Sequence, residues 1–592
     1  MSGAALAMVA ACTLGAASTA ASGASVAAAN DKPWFDERAR ELGVDFVHQS
    51  GASGRYYMPE VMGPGVAVFD ADGDGDLDLF FVQGGSLEPG ATTPATGHRL
   101  YRNQLVETGT LRFVDVTAES GIRPCSYGMG VAAGDYDNDG RTDLYVTCVG
   151  SNQLWHNETP AGGAPRFRDA TAAAGADDPR WSVSAAFFDY DRDGRLDLYV
   201  GNYLRFTAQG YQPCRTRAGE PDWCGPVSSD AVPGKLLHNR GDGTFEDVTQ
   251  KSGLAAKFGP GLGARAFDFD GDGWLDLYVA NDKTDNQLWI NQSGEPPASG
   301  DVVERAPGGG GPRNNHHDGT FRDEALLDGC ALSGEGQPQA SMGIDAGDYD
   351  GDGDLDVAIA NLNGEGITLY RNGGGFCEDA SIASGLRAMS LQTTGFGLAW
   401  LDVDLDGRLD LLAVNGAIKA IEEQRRAGER MPLRQPRQLF RNLGNGRFED
   451  ASAKGGAAFT APEIGRGAAF GDLDDDGDTD VVVANVDGPA RVFVDRAGDG
   501  QRWLGVRLLT GSRDALGALV TLERTGAPPL VRSARADGSY ASANDPRIVF
   551  GLGEGAAPKR VVVQWPSGKR EAFAAPPLGK YTTLVEGSGA AP

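Results

Sequence analysis

The sequence predicts an all-β protein: a seven-bladed β-propeller closed by an N-terminal strand, followed by a small C-terminal β-sandwich-like domain. Three observations carry this prediction. An acidic nine-residue pattern occurs seven times, a short apolar run follows each copy, and an aromatic segment around Trp34 and Phe35 lies ahead of the first repeat. Sequence repeats of this kind are typical of propellers and solenoids, whose units bury their apolar faces against neighbouring units. With 592 residues, 41% of them hydrophobic, the chain is long enough for such a core.

Residues 1–29 are small, apolar and uncharged, and they end in an Ala-x-Ala-type stretch, as in a signal peptide. Two alternatives stay open: a low-complexity tail, and a lipid anchor on Cys12, because Val9-Ala10-Ala11-Cys12 resembles a bacterial lipobox. No later stretch approaches the roughly 20 apolar residues that span a bilayer. We therefore expect a secreted or cell-envelope protein, extracellular or periplasmic, without a transmembrane span.

The repeat that defines the propeller has the pattern D-x-D-x-D-G-x-x-D and begins at Asp70, Asp135, Asp189, Asp268, Asp348, Asp402 and Asp472. Each copy leads into an apolar run such as LDLYV, which indicates a buried strand. A later segment ends at Asn103, Asn157, Asn239, Asn291, Asn372, Asn442 and, in the seventh unit, Asp495. An aromatic residue then opens a further strand, at Phe113, Phe167, Phe245, Phe321, Phe376 and Phe448. A unit of roughly 66 residues suits a four-stranded blade.

The two ends of the repeat series favour a ring over an open stack. No aromatic strand follows Asp495, whereas Trp34 and Phe35 open the chain without a blade before them. The N-terminus can supply the missing strand, and closure removes an exposed sheet edge. We place the propeller at residues 31–498. Insertions at 203–235, 293–319 and 416–436, the last with a helical stretch, are expected partner-binding loops.

The acidic loops predict calcium sites, about seven in all. Ca²⁺ takes six to eight oxygen ligands, which Asp at loop positions 1, 3, 5 and 9 and the backbone carbonyl at position 7 can supply, while Gly at position 6 permits the turn. The candidate ligand residues are Asp70, Asp72, Asp74, Asp76 and Asp78; Asp135, Asp137, Asp139, Arg141 and Asp143; Asp189, Asp191, Asp193, Arg195 and Asp197; Asp268, Asp270, Asp272, Trp274 and Asp276; Asp348, Asp350, Asp352, Asp354 and Asp356; Asp402, Asp404, Asp406, Arg408 and Asp410; and Asp472, Asp474, Asp476, Asp478 and Asp480.

The alternative interpretation of these loops is that Asp-Gly simply makes a good hairpin turn. Four carboxylates within nine residues repel one another unless a cation neutralises them, which favours metal binding. An EF-hand is excluded because position 12 is apolar, as at Phe81 and Val146. Magnesium disfavours cages built only from protein ligands. The formal charge of -29 also argues against nucleic acid as a partner.

The C-terminal unit, residues 500–587, begins where the repeat stops and contains the runs WLGVRLL, GALVTLER, RIVFGLG, KRVVVQWPSG and YTTLVE, which predict strands. Residues 500–592 hold twelve Lys or Arg and seven Asp or Glu. This basic surface either docks on the acidic propeller or an acidic partner, or is merely solvated. Six cysteines besides Cys12 suggest disulfides in an exported chain, with Cys214 and Cys224 as the expected pair.

The repeats resemble the FG-GAP/VCBS type of integrin-like propellers. The segment RWLGVRLLTGSRDALGALVTLER, with FGLGEG and VVVQWPSGKRE, is similar to the ASPIC/UnbV domain. Together they resemble the cartilage acidic protein family over nearly the whole mature chain. The resemblance implies an extracellular or envelope location and calcium binding, but no settled biochemical activity. The signal start and the insertion near His316 depart from the family.

The leading functional hypothesis is a calcium-rigidified platform that binds a protein or glycan and is not an enzyme. The alternatives are a propeller enzyme, of the lyase or quinone-dependent dehydrogenase type, and a lipid-anchored envelope assembly component. His156 and His238 occupy the repeat slot of Arg102, Ile290, Arg371 and Arg441, which indicates ordinary strand positions. His48, His98, His316 and His317 have no evident partner, and Glu60 is the one acid that invites inspection for chemistry, with a structural salt bridge as the alternative.

Overall fold

A computed structural model describes residue 1 and residues 32–88, 97–160, 162–292 and 319–592. The predicted signal segment with Cys12, and the pair His316 and His317, lie outside the described residues. The described elements are predominantly strands, so the predicted all-β class is confirmed. No helix in these described ranges has the length and apolar character of a membrane span.

The part of the chain that the structure describes contains seven four-stranded antiparallel sheets ahead of the C-terminal unit. Sheets 1 to 3 contain β2 (Val66–Phe69), β3 (Asp78–Phe81), β4 (Arg99–Asn103) and β5 (Phe113–Asp115); β6 (Gly128–Gly134), β7 (Asp143–Cys148), β8 (Gln153–Asn157) and β9 (Phe167–Asp169); and β10 (Ser182–Phe188), β11 (Asp197–Asn202), β14 (Lys235–Asn239) and β15 (Phe245–Asp247), where the hairpin of β12 (Cys214–Arg215) and β13 (Pro221–Asp222) is inserted between β11 and β14. Sheets 4 to 6 contain β16 (Gly261–Phe267), β17 (Asp276–Asn281), β18 (Gln287–Asn291) and β19 (Phe321–Asp323); β20 (Ile344–Gly347), β21 (Asp356–Ile359), β22 (Thr368–Asn372) and β23 (Cys377–Asp379); and β24 (Gly395–Leu401), β25 (Asp410–Asn415), β26 (Gln438–Asn442) and β27 (Phe448–Asp450). Sheet 7 combines β28 (Gly465–Gly471), β29 (Asp480–Asn485) and β30 (Arg491–Asp495) with the N-terminal strand β1 (Phe35–Glu37).

The helices are short and lie between strands. The α-helical turns are Leu105–Thr108, Thr117–Ser120, Thr171–Ala174, Leu386–Ser390, Glu422–Arg426 and Gly456–Thr460; the 3-10 turns are Met58–Val61, Pro226–Ser228, Leu254–Ala256 and Ser452–Gly455. The turn Glu422–Arg426 is the helical stretch expected in the insertion 416–436.

The second strand of each sheet is apolar because both of its faces are covered. In β7, Leu144 and Val146 pack with Phe80 of sheet 1, whereas Tyr145 between them packs with Leu198 of sheet 3. Successive residues of a strand point to opposite faces, so a strand between two neighbours is apolar throughout. This packing explains the continuous apolar run after every acidic loop.

The first strands of the sheets contact one another in sequence: β2 with β6, β6 with β10, β10 with β16, β16 with β20, β20 with β24, β24 with β28, and β28 with β2. These strands are rich in Gly and Ala because they are crowded. A Cβ atom on Gly130 of β6 would lie 2.3 Å from the carbonyl oxygen of Val183, and one on Gly65, just before β2, would lie 1.9 Å from that of Ala541. Only glycine permits such an approach of two backbones.

The N-terminal strand pairs with the last strand of the repeats. β1 is antiparallel to β30, with Phe35 opposite Asp495 and Glu37 opposite Phe493. Phe35 stacks on Phe459 at 5.1 Å between ring centroids. Sheet 7 is thus assembled from the two ends of the repeat region.

The C-terminal unit is built from two further sheets. One contains β31 (Trp503–Thr510), β32 (Arg513–Asp514), β35 (Ile548–Gly551) and β38 (Tyr581–Val585), and the other β33 (Leu519–Thr525), β34 (Leu530–Ser533), β36 (Ala557–Gln564) and β37 (Arg570–Ala574). All five predicted strands are present, and the short strands β32, β34 and β37 were not expected. The two sheets enclose an apolar core around Trp565 and Phe550.

Residues 534–547, between β34 and β35, leave the C-terminal unit and run among the inner strands of the seven sheets; we call them the axial segment. Ala543 exchanges backbone hydrogen bonds with Val66 and Val68, and the carbonyl of Ala541 accepts from Val131. The fully buried Tyr540 donates its hydroxyl hydrogen to the Met62 carbonyl at 2.8 Å. The axial segment therefore fills the space that the Gly-rich strands surround.

Three disulfides are present among the described residues: Cys125–Cys148, Cys214–Cys224 and Cys330–Cys377. The Cys214–Cys224 pair is the one predicted from the sequence. The prediction that Phe376 opens the outer strand of the fifth repeat was wrong. Cys377 takes that place, because it lies opposite Asn372 as Phe113 lies opposite Asn103 in sheet 1. Phe376 is instead 39% exposed.

Candidate metal centres

The seven acidic loops each join the first and second strands of a sheet and share one backbone conformation. The glycine at position 6 has φ between 85° and 101° in every loop, which is the left-handed region that favours glycine. Position 4 is also left-handed, with φ between 51° and 81°, even where it is Asn138, Arg192, Leu405 or Asp475. Two left-handed residues curl the loop so that its carboxylates converge.

Hydrogen bonds within each loop orient the carboxylates. In loop 1, Asp74 accepts the backbone N–H of Asp76 at 3.1 Å, and Asp78 accepts that of Ala71 at 2.8 Å. The equivalent bonds, from position 7 to position 5 and from position 2 to position 9, recur in all seven loops. The Asp side chains of the pattern therefore lie together in each loop, and the one at position 9 also has a structural role.

The asparagine that ends the third strand ties neighbouring loops together, a role that the sequence did not reveal. Asn157 donates its backbone N–H to Asp143 of its own loop at 2.7 Å and its side-chain N–H to the carbonyl of Ala71 in the preceding loop at 2.9 Å. The same side-chain bond links Asn103 of sheet 1 to Leu473 of loop 7 at 3.1 Å. The recurrence of Asn in this slot was the available signal.

Several carboxylate oxygens in the loops are buried without a hydrogen-bond partner among the described residues. They belong to Asp76, Asp189, Asp402, Asp404, Asp474 and Asp478, the last through both of its oxygens. Burial, strengthened by neighbouring carboxylates, raises the pKa of Asp268 to about 7 and that of Asp478 to about 8. Buried, unsatisfied carboxylate oxygens that crowd together fit a hard divalent cation, which would supply the missing partner.

Triplets of side chains in the loops offer ligand atoms within 4.8 Å of one another. They include Asp70, Asp72 and Asp78 in loop 1 and Asp135, Asp137 and Asp143 in loop 2. A further triplet, Asp74, Asp76 and Glu107, adds a residue that the sequence pattern did not include. Acidic clusters that could hold metal ions are therefore present in the structure.

Basic side chains also contact these carboxylates. Arg371 donates from Nε to Asp350 at 2.6 Å, and Arg441 donates likewise to Asp404 at 2.7 Å. Position 7, predicted to supply its backbone carbonyl, is an arginine in three loops, and each of these arginines forms an ion pair with the Asp at position 5, as Arg141 does with Asp139. The loops therefore differ in charge: position 7 is acidic in loops 1, 5 and 7 and basic in loops 2, 3 and 6.

The C-terminal unit lies over the loops, so its basic surface docks on the acidic repeats. Arg513, whose side chain is 1% exposed, is 3.6 Å from Asp189. Tyr581 donates its hydroxyl hydrogen to Asp472 at 2.9 Å, and Gln564 contacts Asp268 at 3.2 Å. Position 1 of these loops therefore lies at the boundary between the repeats and the C-terminal unit.

Glu60 lies away from the loops and is only 2% exposed. It accepts hydrogen bonds from the backbone and the hydroxyl of Ser53, at 3.1 and 3.2 Å. Burial raises its pKa to about 7. No basic side chain in the described ranges pairs with it, so the salt bridge considered from the sequence is not formed there.

The fold and its loops define an all-β repeat protein with acidic candidate metal centres and a docked C-terminal unit. The family model described as FG-GAP-like repeat matches residues 70–146, 135–200, 225–279, 348–413 and 434–483, and that described as ASPIC and UnbV matches residues 509–591. The chain belongs to the family of FG-GAP-like repeat proteins with a C-terminal ASPIC and UnbV domain, and the resemblance to the cartilage acidic protein family is confirmed.

Curated relatives include cartilage acidic protein 1 of Mus musculus and of Homo sapiens, each 28% identical over 210 residues. The matched region is 29% of this chain and 32% and 31% of the two relatives, so the chain matches about a third of their length. Among solved structures, an Agrocybe aegerita lectin that recognises non-reducing terminal N-acetylglucosamine aligns with a TM-score of 0.35 and 16% identity, over 72% of this chain and 87% of the lectin. Saccharomyces cerevisiae Sqt1 aligns with a TM-score of 0.37 and 11% identity, over 76% and 97%.

Proposed function

We propose that this protein is an exported, calcium-binding, seven-bladed β-propeller that acts as a binding, adhesion or scaffold protein at the cell surface or outside the cell, and not as an enzyme. In this proposal the seven sheets are the blades and β1 closes the ring. The observation that carries it is a set of buried carboxylate oxygens in four of the loops, which have no hydrogen-bond partner among the described residues. Calcium would be held by the carboxylates of positions 1, 3, 5 and 9 and would neutralise their mutual repulsion.

Export is supported by the three disulfides, which form and persist in oxidising compartments. The predicted signal segment agrees with this location. Whether the mature chain also carries a lipid on Cys12 is decided by the mass of its N-terminal peptide.

The partner, a protein or a glycan, would bind on the face opposite the acidic loops, because the C-terminal unit covers the loop face. The insertions 203–235 and 416–436 connect second to third strands and so lie at the opposite ends of the sheets. They contact each other through Arg425 and Glu220 at 2.6 Å, and Arg430 reaches the Ala52 carbonyl at 3.0 Å. Joined loops on a rigid scaffold are a usual place for recognition.

The test compares thermal unfolding of the purified protein in millimolar Ca²⁺ and after removal of metal with EDTA. A cation that binds only the folded state stabilises it by about 2.7 kcal/mol per site at a hundredfold excess over Kd. We expect a large rise of the melting temperature in Ca²⁺ and a weaker one in Mg²⁺. Equal melting temperatures with and without Ca²⁺ would refute calcium binding.

A further inference from the structure

In the part of the chain that the structure describes, two of the seven loops face an imidazole. His156 of β8 and His238 of β14 occupy the same register position, and each directs Nδ1 at its own loop. Nδ1 of His156 lies 3.4 Å from Asp137 and 3.3 Å from Asp143. Nδ1 of His238 lies 3.3 Å from Asp191 and forms a hydrogen bond with Asp197 at 3.1 Å.

The imidazole of His156 is buried, the residue being 9% exposed, and its Nδ1 makes no hydrogen bond among the described residues although carboxylates surround it. When Nδ1 is deprotonated it carries a lone pair, and a cation placed between it and the surrounding carboxylates would bind both. Asp137, Asp139 and His156 bring three ligand atoms within 4.8 Å of one another, and Asp191, Asp193 and His238 do the same in loop 3.

Within the described ranges, no imidazole faces any of the other five loops. In loops 1, 5 and 6 this register position is an arginine, and each of these arginines pairs with the Asp at position 3. In loop 4 the position is Ile290, and in loop 7 it is Val494. The arginine and the imidazole differ in chemistry, because guanidinium is a permanent cation that cannot coordinate a metal, whereas neutral imidazole is a metal ligand.

We infer that loops 2 and 3 select a divalent first-row transition ion, of the Zn²⁺ class, through His156 and His238, while the all-oxygen loops take Ca²⁺. Imidazole nitrogen suits zinc and its neighbours, whereas calcium prefers oxygen ligands alone. Three protein ligands with a position left for water is a common zinc coordination. The inference rests on the proposed cation-binding role of the loops and divides that role between two kinds of ion.

The test uses the full chain in millimolar Ca²⁺, so that the oxygen loops are filled, and measures Zn²⁺ uptake by calorimetry and by elemental analysis after dialysis. We expect two tightly bound Zn²⁺ per chain. His156→Arg, which installs the residue of sheets 1, 5 and 6, should bind one, and H156R/H238R none. The converse variant Arg371→His should gain a third.

Two controls keep the outcome interpretable. H316A/H317A removes the adjacent histidines of the sequence outside the described residues and should leave both Zn²⁺ bound. His156→Gln, which replaces the imidazole by an uncharged amide, should also lose one Zn²⁺. It serves as the test variant if the arginine variant does not fold.

Absence of tight Zn²⁺ in the wild type, or retention of both ions in H156R/H238R, overturns the inference, and the histidines are then only substitutes for arginine. In Co²⁺, the visible absorption of the wild type should vanish in the double variant, and unchanged absorption there would also contradict it. Calcium uptake is measured in the same samples. If the wild type takes up Ca²⁺ but not Zn²⁺, only this inference is refuted. If it takes up neither ion, the proposed function is refuted as well.

Discussion

Arg265 of β16 and Asp537 of the axial segment form a buried ion pair, with 2.7 Å between Nη1 and Oδ1. Arg265 is 1% exposed, and Asp537 also accepts the backbone N–H of Ala266 at 2.7 Å. The pair joins sheet 4 to the C-terminal unit inside the molecule. Its removal should therefore report on how firmly the axial segment is held.

Asp537→Asn should destabilise the protein by about 2 kcal/mol, because it removes the closer of the two carboxylates that face the buried Arg265 guanidinium and leaves only Asp345, at 3.6 Å. Unfolding by urea, followed by circular dichroism, measures this change. Arg265→Met with Asp537→Leu should recover part of the loss, since replacing both buried charges by apolar groups is often nearly neutral. Equal stability of Asp537→Asn and the wild type would show that this ion pair does not hold the axial segment in place.

Asp495→Asn should stabilise the protein by about 1 to 3 kcal/mol. Asp495 takes the place of the asparagine in the other six repeats, is fully buried, and leaves Oδ2 without a hydrogen-bond partner among the described residues. Burial also raises its pKa well above the usual range of a carboxyl group. The amide would provide the N–H that the other asparagines donate to the carbonyl at position 2 of the preceding loop.

The measurement for Asp495→Asn is chemical unfolding in Ca²⁺, with Asn372→Asp as the reverse change in sheet 5, which should destabilise. A loss of stability on Asp495→Asn, confined to Ca²⁺-containing buffer, would instead show that Asp495 is a cation ligand.

Glu60 should make stability depend on pH. Burial raises its pKa from 4.5 to about 7 in the folded state, so its favourable contribution is complete below pH 4.5 and is lost as pH rises to about 7. At about 1.4 kcal/mol per pKa unit, the loss is about 3 kcal/mol. At constant Ca²⁺, the stability advantage of Glu60→Gln over the wild type should therefore grow as pH rises through this window. Above the window the advantage should remain constant. Parallel stability curves for the two proteins would contradict this assignment.

Loss of the Cys330–Cys377 disulfide should cost more stability than loss of Cys214–Cys224. The chain-entropy relation gives about 4 kcal/mol for a loop of 47 residues and about 3 kcal/mol for one of 10. Paired Cys→Ser variants, compared by urea unfolding, test the order. Cys330–Cys377 also fixes the outer strand of sheet 5. A larger loss of stability on removal of Cys214–Cys224 than on removal of Cys330–Cys377 would contradict the predicted order.

The features that could be predicted from the sequence are those that recur. The acidic loops, the apolar second strands and the glycine at position 6 repeat seven times, so each copy supports the others. The cross-loop role of Asn157 could not be predicted, because its acceptor, the Ala71 carbonyl, belongs to another sheet and leaves no sequence mark at a fixed spacing.

The axial segment could not be predicted for a different reason. The run ARADGSYASAND has neither helical nor strand periodicity and looks like an exposed loop between β34 and β35. Its burial depends on the Gly-rich strands around it, which are distant in the sequence. The docking of the C-terminal unit stayed one of two alternatives for a similar reason, since net charge alone does not identify which surface is covered.

The pairing of β1 with β30 affects the order of events during synthesis. β1 leaves the ribosome before the repeats, yet its partner β30 is made only after nearly all of them, and the axial segment follows later still. The newly made chain must keep an unpaired edge from aggregating throughout that interval. Contacts between such distant residues slow folding. The unpaired strand edge is therefore the segment that we expect a chaperone to bind while the protein folds.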